Sequence, residues 1–330
     1  MPISAAPPLR SGNIRVFLNG YIHVGPDWRI MAVSVVLIAA CASLFVFFTN
    51  EVLAARIIVG VTALLSVATL LLCGLSDPGV KPRQPPPPTD APLRESHWRE
   101  RVYVDRAGQL HRARHEMKWC YSCNVHRPYR GVHCRYCDRC VSRRDHHCPW
   151  TGTCIGAKNY RSYFALVWVL SIMLGAALVG GLQSLAQRIV RHTKSPSVIE
   201  DGPSAFTAAL VDTYCLELLL ILFSFVFGLL AWSLAVYHTY LVSQNLTSGD
   251  AAKDMDENVF THGSVAANFW AALTGWRGEE DEEGPRHADT HAEVVIESVD
   301  YDDAGHAPSV SPASNAEAAS QVTLRHDCVE

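Results

Sequence analysis

Four long apolar runs decide the class of fold open to this chain: Ile30–Phe48, Ile57–Leu75, Tyr163–Leu185 and Leu218–Val242. Each is about nineteen residues or longer, and at ~1.5 Å of rise per residue a helix of that length crosses a ~30 Å hydrocarbon layer. Buried core helices of a large soluble protein are the alternative, and four such runs almost without charge argue against it. The expected fold is therefore an α-helical integral membrane protein with four transmembrane helices. A few residues around Asn50 and Glu51 separate the first two runs, so these form an antiparallel hairpin. No cleavable signal peptide is apparent, because the first run begins near residue 30 and is too long for an h-region.

Charge supplies an orientation. The net charge of −4 is mild, but the basic residues are segregated: Lys81 to Arg161 holds seventeen of the twenty-eight Lys and Arg. The loops on the other side carry Arg56 in one case, and Arg188, Arg191 and Lys194 in the other. By the positive-inside rule the segment between the second and third spans faces the cytosol, as do both termini. The sequon Asn245-Leu246-Thr247 then also faces the cytosol and stays unmodified. A channel or transporter finds little support, since the spans are nearly free of charge apart from Glu217 near the luminal edge of the fourth.

Seven of the eleven cysteines lie within the thirty-five residues from Cys120 to Cys154. An odd number in a reducing compartment argues against disulfides, and interleaved histidines at ligand spacing argue for zinc. Structural zinc takes four Cys or His ligands, so two Cys3His sites consume six cysteines and two histidines. The candidates are the seven cysteines with His126, His133, His146 and His147. One cysteine is left over, and the surplus falls most naturally in Asp145-His146-His147-Cys148. Adjacent histidines rarely point at one metal, so His146 and His147 are expected to do different jobs. A spare thiol beside His and Asp is what nucleophilic cysteine chemistry needs: a base takes the proton and an acid orients the base.

At these residues the chain resembles the DHHC-type protein S-acyltransferases (palmitoyltransferases). The resemblance covers Cys120-x2-Cys123, Arg127-Pro128-x-Arg130-x2-His133-Cys134, Cys137 and Cys140, the tetrad Asp145–Cys148, Pro149-Trp150, and Cys154-Ile155-Gly156 followed by Asn159. Asp77-Pro78-Gly79 also matches a family motif residue for residue, and physically it is a turn and helix stop. The resemblance implies two structural zinc ions. One is held by Cys120, Cys123, His133 and Cys140, the other by Cys134, Cys137, His147 and Cys154. These sets leave out Cys148 and His146, as the ligand count suggests. The implied chemistry is palmitoyl transfer from acyl-CoA to cysteine thiols of membrane-associated substrate proteins. Cys148 is the nucleophile, His146 its base and Asp145 the residue that orients His146. The bilayer is the other partner, the active site faces the cytosol of an endomembrane or the plasma membrane, and nucleic acid has no place in this scheme.

The remaining expectations follow chain order. Residues 1–29 form a cytosolic lead-in, disordered or interfacial, and 30–76 the first two spans. Residues 77–161 are a cytosolic linker and the zinc-binding domain, with extended polyproline at Pro85–Pro88 and a basic stretch before Cys120. Metal would hold this short domain together. Trp150 suits the membrane–cytosol boundary and is a candidate acyl-CoA contact. Residues 162–242 carry the third and fourth spans with a luminal loop; small residues of the third, Gly175, Ala176, Ala177, Gly180 and Gly181, allow close helix approach. Met173, eleven residues into the third span, is the candidate residue at the end of the acyl cavity, as the family suggests. Residues 243–277 hold cytosolic motifs. Thr247-Ser248-Gly249-Asp250 stands where the family has Thr-Thr-x-Glu, leaving Ser248 a hydroxyl for Asp145. Asn268 with Phe269 and Trp270 resembles the C-terminal element that packs back on the core. Thr153 departs from the family's usual Asn and lacks an amide's paired donor and acceptor. From 278 to 330 an acidic run, Glu279–Glu283, opens a tail expected to be disordered. The rival reading is a zinc-stabilised adaptor or RING-like scaffold without chemistry, which would have no need of the surplus Cys148 and His146.

Overall fold

The computed structural model describes residues 10–49, 52–86, 98–104, 110–128, 130–194, 204–213, 215–253, 258 and 260–274. Four long apolar helices dominate: α1 (Trp28–Phe48), α2 (Leu53–Leu75), α3 (Tyr160–Thr193) and, beyond the short α4 (Ala205–Val211), α5 (Leu216–Gln244). They contain 21, 23, 34 and 29 residues, so the shortest is about 30 Å long. Their outer faces are coated with exposed Val36, Phe47, Leu64, Leu219 and Leu230. A contiguous apolar coat of this size calls for lipid rather than water as solvent. The chain is a multi-pass membrane protein with four membrane-capable helices.

Helix α3 packs along both α2 and α5, and α1 packs on α2. Small residues permit this. A Cβ at Gly180 would collide with Ala55 of α2 and crowd Phe45 of α1, and one at Gly181 would meet Ile221 of α5 at 2.7 Å. Far from the cysteines, Glu217 is fully buried and lies 3.3 Å from Arg188, which also donates to Phe48 O at 2.7 Å. The acid is thus paired across α3 and α5, the usual condition for a charge at such depth.

The cysteine-rich region is a set of two-stranded hairpins in place of an apolar core. Before it come β1 (Arg10–Ser11), β2 (Ile14–Phe17) and β3 (Ile22–Val24), which form one antiparallel sheet. Then follow β4 (Trp98–Val104) with β5 (Leu110–Glu116), β6 (Trp119–Cys120) with β7 (Val125–His126), β8 (Val132–Cys134) with β9 (Arg139–Val141), and β10 (His146–Cys148) with β11 (Thr153–Ile155). The N-terminal lead-in is therefore ordered from residue 10. Ile14 is fully buried among Cys134, Cys137, Val141 and Cys154, so an apolar residue of the lead-in finds its burial on the cysteine cluster instead of on a membrane surface. The basic stretch before Cys120 contains the β4–β5 hairpin. The polyproline expectation from residue 87 onward and the acidic tail lie outside the described residues.

This region joins one end of the bundle: the start of α1, the end of α2, the start of α3 and the end of α5. Asp27 N donates to Gly152 O at 3.2 Å. Asp77 Oδ1 accepts from the amides of Gly79 and Val80 at 2.8 and 3.0 Å, closing the turn after α2. Fully buried Asn159 donates to Cys73 O at 3.1 Å and Cys154 O at 2.9 Å, and accepts from Gly156 N at 2.9 Å. After α5 the short α6 (Ser248–Ala251) and the apolar α7 (Val265–Thr274) return to the same end.

Candidate active site and metal centres

Strand geometry sorts the ligands. Side chains alternate between the faces of a strand, and residues directly opposed across an antiparallel pair share a face. His133 opposes Cys140 and His147 opposes Cys154, so each hairpin delivers one His and one Cys to the same side. Neighbours His133 and Cys134 point oppositely and enter different clusters, which is how the two ligand sets come to interleave. The first cluster gathers Cys120, Cys123, His133 and Cys140, the second Cys134, Cys137, His147 and Cys154.

The spacing tests whether a metal fits. His133 Nδ1 lies 3.5 Å from Cys120 Sγ and 3.4 Å from Cys123 Sγ. His147 Nδ1 lies 3.7, 3.4 and 3.5 Å from the sulfurs of Cys134, Cys137 and Cys154, and Cys137 Sγ lies 3.5 Å from Cys154 Sγ. Tetrahedral bonds of ~2.3 Å to sulfur and ~2.0–2.1 Å to nitrogen set ligand pairs roughly 3.5–3.8 Å apart. Both clusters can hold metal ions, and a four-ligand Cys3His set is the donor chemistry of zinc. Arg144 lies against the sulfurs of Cys154 and Cys134, where its charge offsets that of three thiolates.

The same alternation puts His146 and Cys148 on the face opposite His147. His146 Nδ1 donates to Asp145 Oδ1 at 2.7 Å, which leaves Nε2 for the thiol. Buried Asp145 also accepts from Ser248 N at 2.8 Å on Oδ2 and from the Ser248 hydroxyl at 2.9 Å on Oδ1. Burial pushes Asp145 up, but hydrogen bonding to His146, its charge and the Ser248 amide outweigh burial and hold the carboxyl below its ordinary value. Burial pulls His146 down, yet its hydrogen bonds to Asp145 and Cys148 raise it to about 9. Burial likewise disfavours a Cys148 thiolate, and the hydrogen bond and charge of His146, with help from Thr151, lower the thiol regardless. The group is built to hold an imidazolium–thiolate pair. Pro149–Thr151 then make a single 3₁₀ turn closed by Gly152 at φ +79°, where a Cβ would crowd Met31 and the backbone of Trp28. This turn fixes the angle at which the chain leaves Cys148.

Behind His146 stands a polar wall that the sequence did not announce. Tyr163 meets the His146 ring edge-on at 5.2 Å, and the hydroxyls of Tyr160 and Tyr163 lie 3.0 and 3.3 Å from the two ring nitrogens of buried His238. The motif after α5 is anchored as well. Thr247 and Asp250 form a capping box on α6. Asp250 takes an ion pair from buried Arg130, whose guanidinium lies 4.0 Å from the centroid of Phe260. Arg143 donates to Asn245 Oδ1. In this setting Ser248 reaches Asp145 and Asp250 reaches Arg130, so the variant Thr-Ser-x-Asp makes contacts with both hydroxyl and carboxylate. Asn268 of α7 donates to Ser243 O at 2.8 Å and accepts from His262 N at 2.8 Å.

Asp145, His146, Cys148 and Ser248 are thus brought together, and Asn268 supports the segment that carries Ser248. Trp150 follows the thiol and is 62% exposed, as an aromatic at a membrane boundary would be. Met173 lies apart, buried in the bundle core with Phe45, Leu174 and Leu220. Thr153 is buried, and its hydroxyl has no hydrogen-bond partner among the described residues. His126 stays outside both clusters, its Nδ1 2.9 Å from Met117 O.

Residues 113–255, which include both clusters, the Asp145–Cys148 tetrad, α3, α5 and α6, match the family model described as DHHC palmitoyltransferase. The chain is similar to palmitoyltransferase ZDHHC14 of Homo sapiens, 28% identical over 295 residues that cover 80% of this chain and 56% of that one. Palmitoyltransferase ZDHHC18 of Homo sapiens is 27% identical over 303 residues, 80% of this chain and 70% of that one. Palmitoyltransferase ZDHHC14 of Danio rerio is 29% identical over 302 residues, 80% and 57% respectively. The chain thus spans a little over half the length of the ZDHHC14 proteins. With two Cys3His clusters and an Asp-His-His-Cys tetrad between membrane helices, the chain carries a DHHC palmitoyltransferase domain over residues 113–255.

Proposed function

We propose that the protein is a protein S-acyltransferase that moves a long fatty acyl group, palmitoyl in the first instance, from acyl-CoA to cysteine thiols of membrane-associated proteins. The observation that carries this reading is the hydrogen-bonded series Ser248, Asp145, His146 and Cys148, ending in a thiol that no metal cluster uses.

The chemistry runs in two transfers. The Cys148 thiolate attacks the thioester carbonyl of acyl-CoA, a new carbon–sulfur bond forms, and the bond to the CoA sulfur breaks. The CoA thiolate leaves with the proton of the His146 imidazolium. Neutral His146 then takes the proton of a substrate cysteine, whose thiolate attacks acyl-Cys148 and releases the Cys148 thiolate. Asp145 keeps the His146 proton on Nδ1 and stabilises the imidazolium. Splitting the transfer lets acyl donor and acceptor protein use the site in turn.

In this reading both clusters hold zinc, the first through Cys120, Cys123, His133 and Cys140, the second through Cys134, Cys137, His147 and Cys154. Zinc bound there supplies folding energy, since four protein ligands leave no open position. The acyl chain lies among the spans, with Trp150 at the entrance and Met173 deep within. The segregated basic residues support a cytosolic orientation for residues 77–161 and 243–277, with the active site on the cytosolic face. Incubation of purified protein with labelled palmitoyl-CoA tests the proposal. Thioester-linked label on wild type and none on Cys148→Ala is expected; equal label on both would overturn it.

A further inference from the structure

The strongest unexplained contact joins the start of the first membrane helix to the second cysteine cluster. Asp27 occupies the N-cap position of α1, where an aspartate ordinarily accepts a hydrogen bond from the first turn. It makes no such bond. Its Oδ2 lies 2.7 Å from His147 Nε2, a residue 120 positions away. His147 Nδ1 is the atom that faces the sulfurs of Cys134, Cys137 and Cys154. A histidine whose Nε2–H is donated to a carboxylate must present its lone pair on Nδ1, and the carboxylate both fixes the ring and makes that nitrogen more basic. Tyr136 stacks on the His147 ring, with centroids 4.8 Å apart and planes at 27°. Among the described residues the first cluster has no equivalent: His133 Nε2 is 3.8 Å from Asp138 Oδ1, beyond hydrogen-bond range, and Asp138 is engaged by Arg83.

We infer that Asp27 is the positioning residue of the second metal centre, which binds a tetrahedral dication such as zinc. Through it the N-terminal segment becomes part of the catalytic hairpin. The helix gives up a side-chain cap, and the amide of the same residue holds Gly152, so α1, the metal ligand His147 and the turn after Cys148 are tied at one point. Ile14, on β2 of the N-terminal sheet, packs on the same cluster. Since His147 lies between His146 and Cys148, a loosened His147 ring would shift the register of the two reacting side chains as well.

This inference rests on the metal reading above, so the test measures metal before activity. Full-length protein in detergent is analysed for zinc, then challenged with excess chelator and a coloured zinc indicator. Wild type should hold two equivalents, released in two phases. In Asp27→Asn and in Asp27→Ser one phase should accelerate by about 10–100-fold, the range set by loss of such an outer partner. The other phase should keep its wild-type rate, which also reports that the domain is folded. Both serine and asparagine can cap a helix but carry no carboxylate, so wild-type release in Asp27→Ser would assign the residue to capping and overturn the inference. Unchanged release in both variants would overturn it too, while the metal reading stands. Wild-type protein with less than two equivalents would refute that reading and the inference together.

Discussion

On the proposed mechanism, replacing His146 with alanine removes the group that ionises Cys148 and leaves both metal clusters untouched, because the strand turns His146 away from His147. In the wild type, despite burial, the hydrogen bond and charge of each partner lower the thiol and raise the imidazole to about 9, which favours the imidazolium–thiolate pair. Without His146 the thiol returns to at least the ordinary cysteine value of about 8.5, so at pH 7 roughly 3% is thiolate, and burial reduces this further. Loss of the proton donor to the leaving CoA adds to the deficit, and the self-acylation rate should fall by about 10²–10⁴. The assay is single-turnover labelling with palmitoyl-CoA from pH 6 to 10. Wild type should be nearly flat through neutrality, whereas His146→Ala should gain about tenfold per pH unit until the thiol ionises unaided. The same pair affects stability. The raised His146 contributes stability that is fully present below its unfolded value near 6.5 and lost as pH rises through about 9. The lowered Asp145 contributes stability present above its unfolded value and lost as pH falls through its folded one. A rate for His146→Ala within threefold of wild type at pH 7, or no pH slope, would show that another group activates Cys148.

Three further outcomes are expected. Cys148→Ser should abolish self-acylation and keep both zinc equivalents by elemental analysis, and loss of one equivalent would make Cys148 a ligand. Arg130→Ala should destabilise the cytosolic end by about 3–5 kcal/mol by leaving buried Asp250 unpaired, and should loosen Ser248 from Asp145, so thermal unfolding and the acylation rate should fall together; an unchanged melting temperature would refute this. Met173→Trp should shift acyl-CoA preference to shorter chains and Met173→Ala to longer ones in a competition assay, and an identical preference in all three proteins would exclude Met173 from the cavity.

The sequence by itself determined the spans, a count of cysteines and histidines that suits two four-ligand sites, and a surplus thiol, because each is written in local terms; the division into two ligand sets comes from the resemblance. A membrane helix is an unbroken apolar run, and a zinc site of this kind is a spacing of cysteines and histidines. That His146 and His147 face different ways is expected of neighbours, and the β10 strand then sets them on opposite faces. What the tertiary structure decided are the partners of charged and polar groups far apart in the chain. Nothing in the sequence singles out Asp27, and its attachment to His147 depends on how α1 docks against the β10–β11 hairpin. Arg130 with Asp250, Arg143 with Asn245, and the Tyr160–His238–Tyr163 wall pair residues 75 to 120 positions apart. No periodicity or spacing encodes such pairs. A buried charge or imidazole must find a partner, but the fold alone decides which one is within reach. For the same reason the N-terminal lead-in reads as disordered or interfacial: the burial of Ile14 exists only once the cysteine hairpins are assembled beneath it.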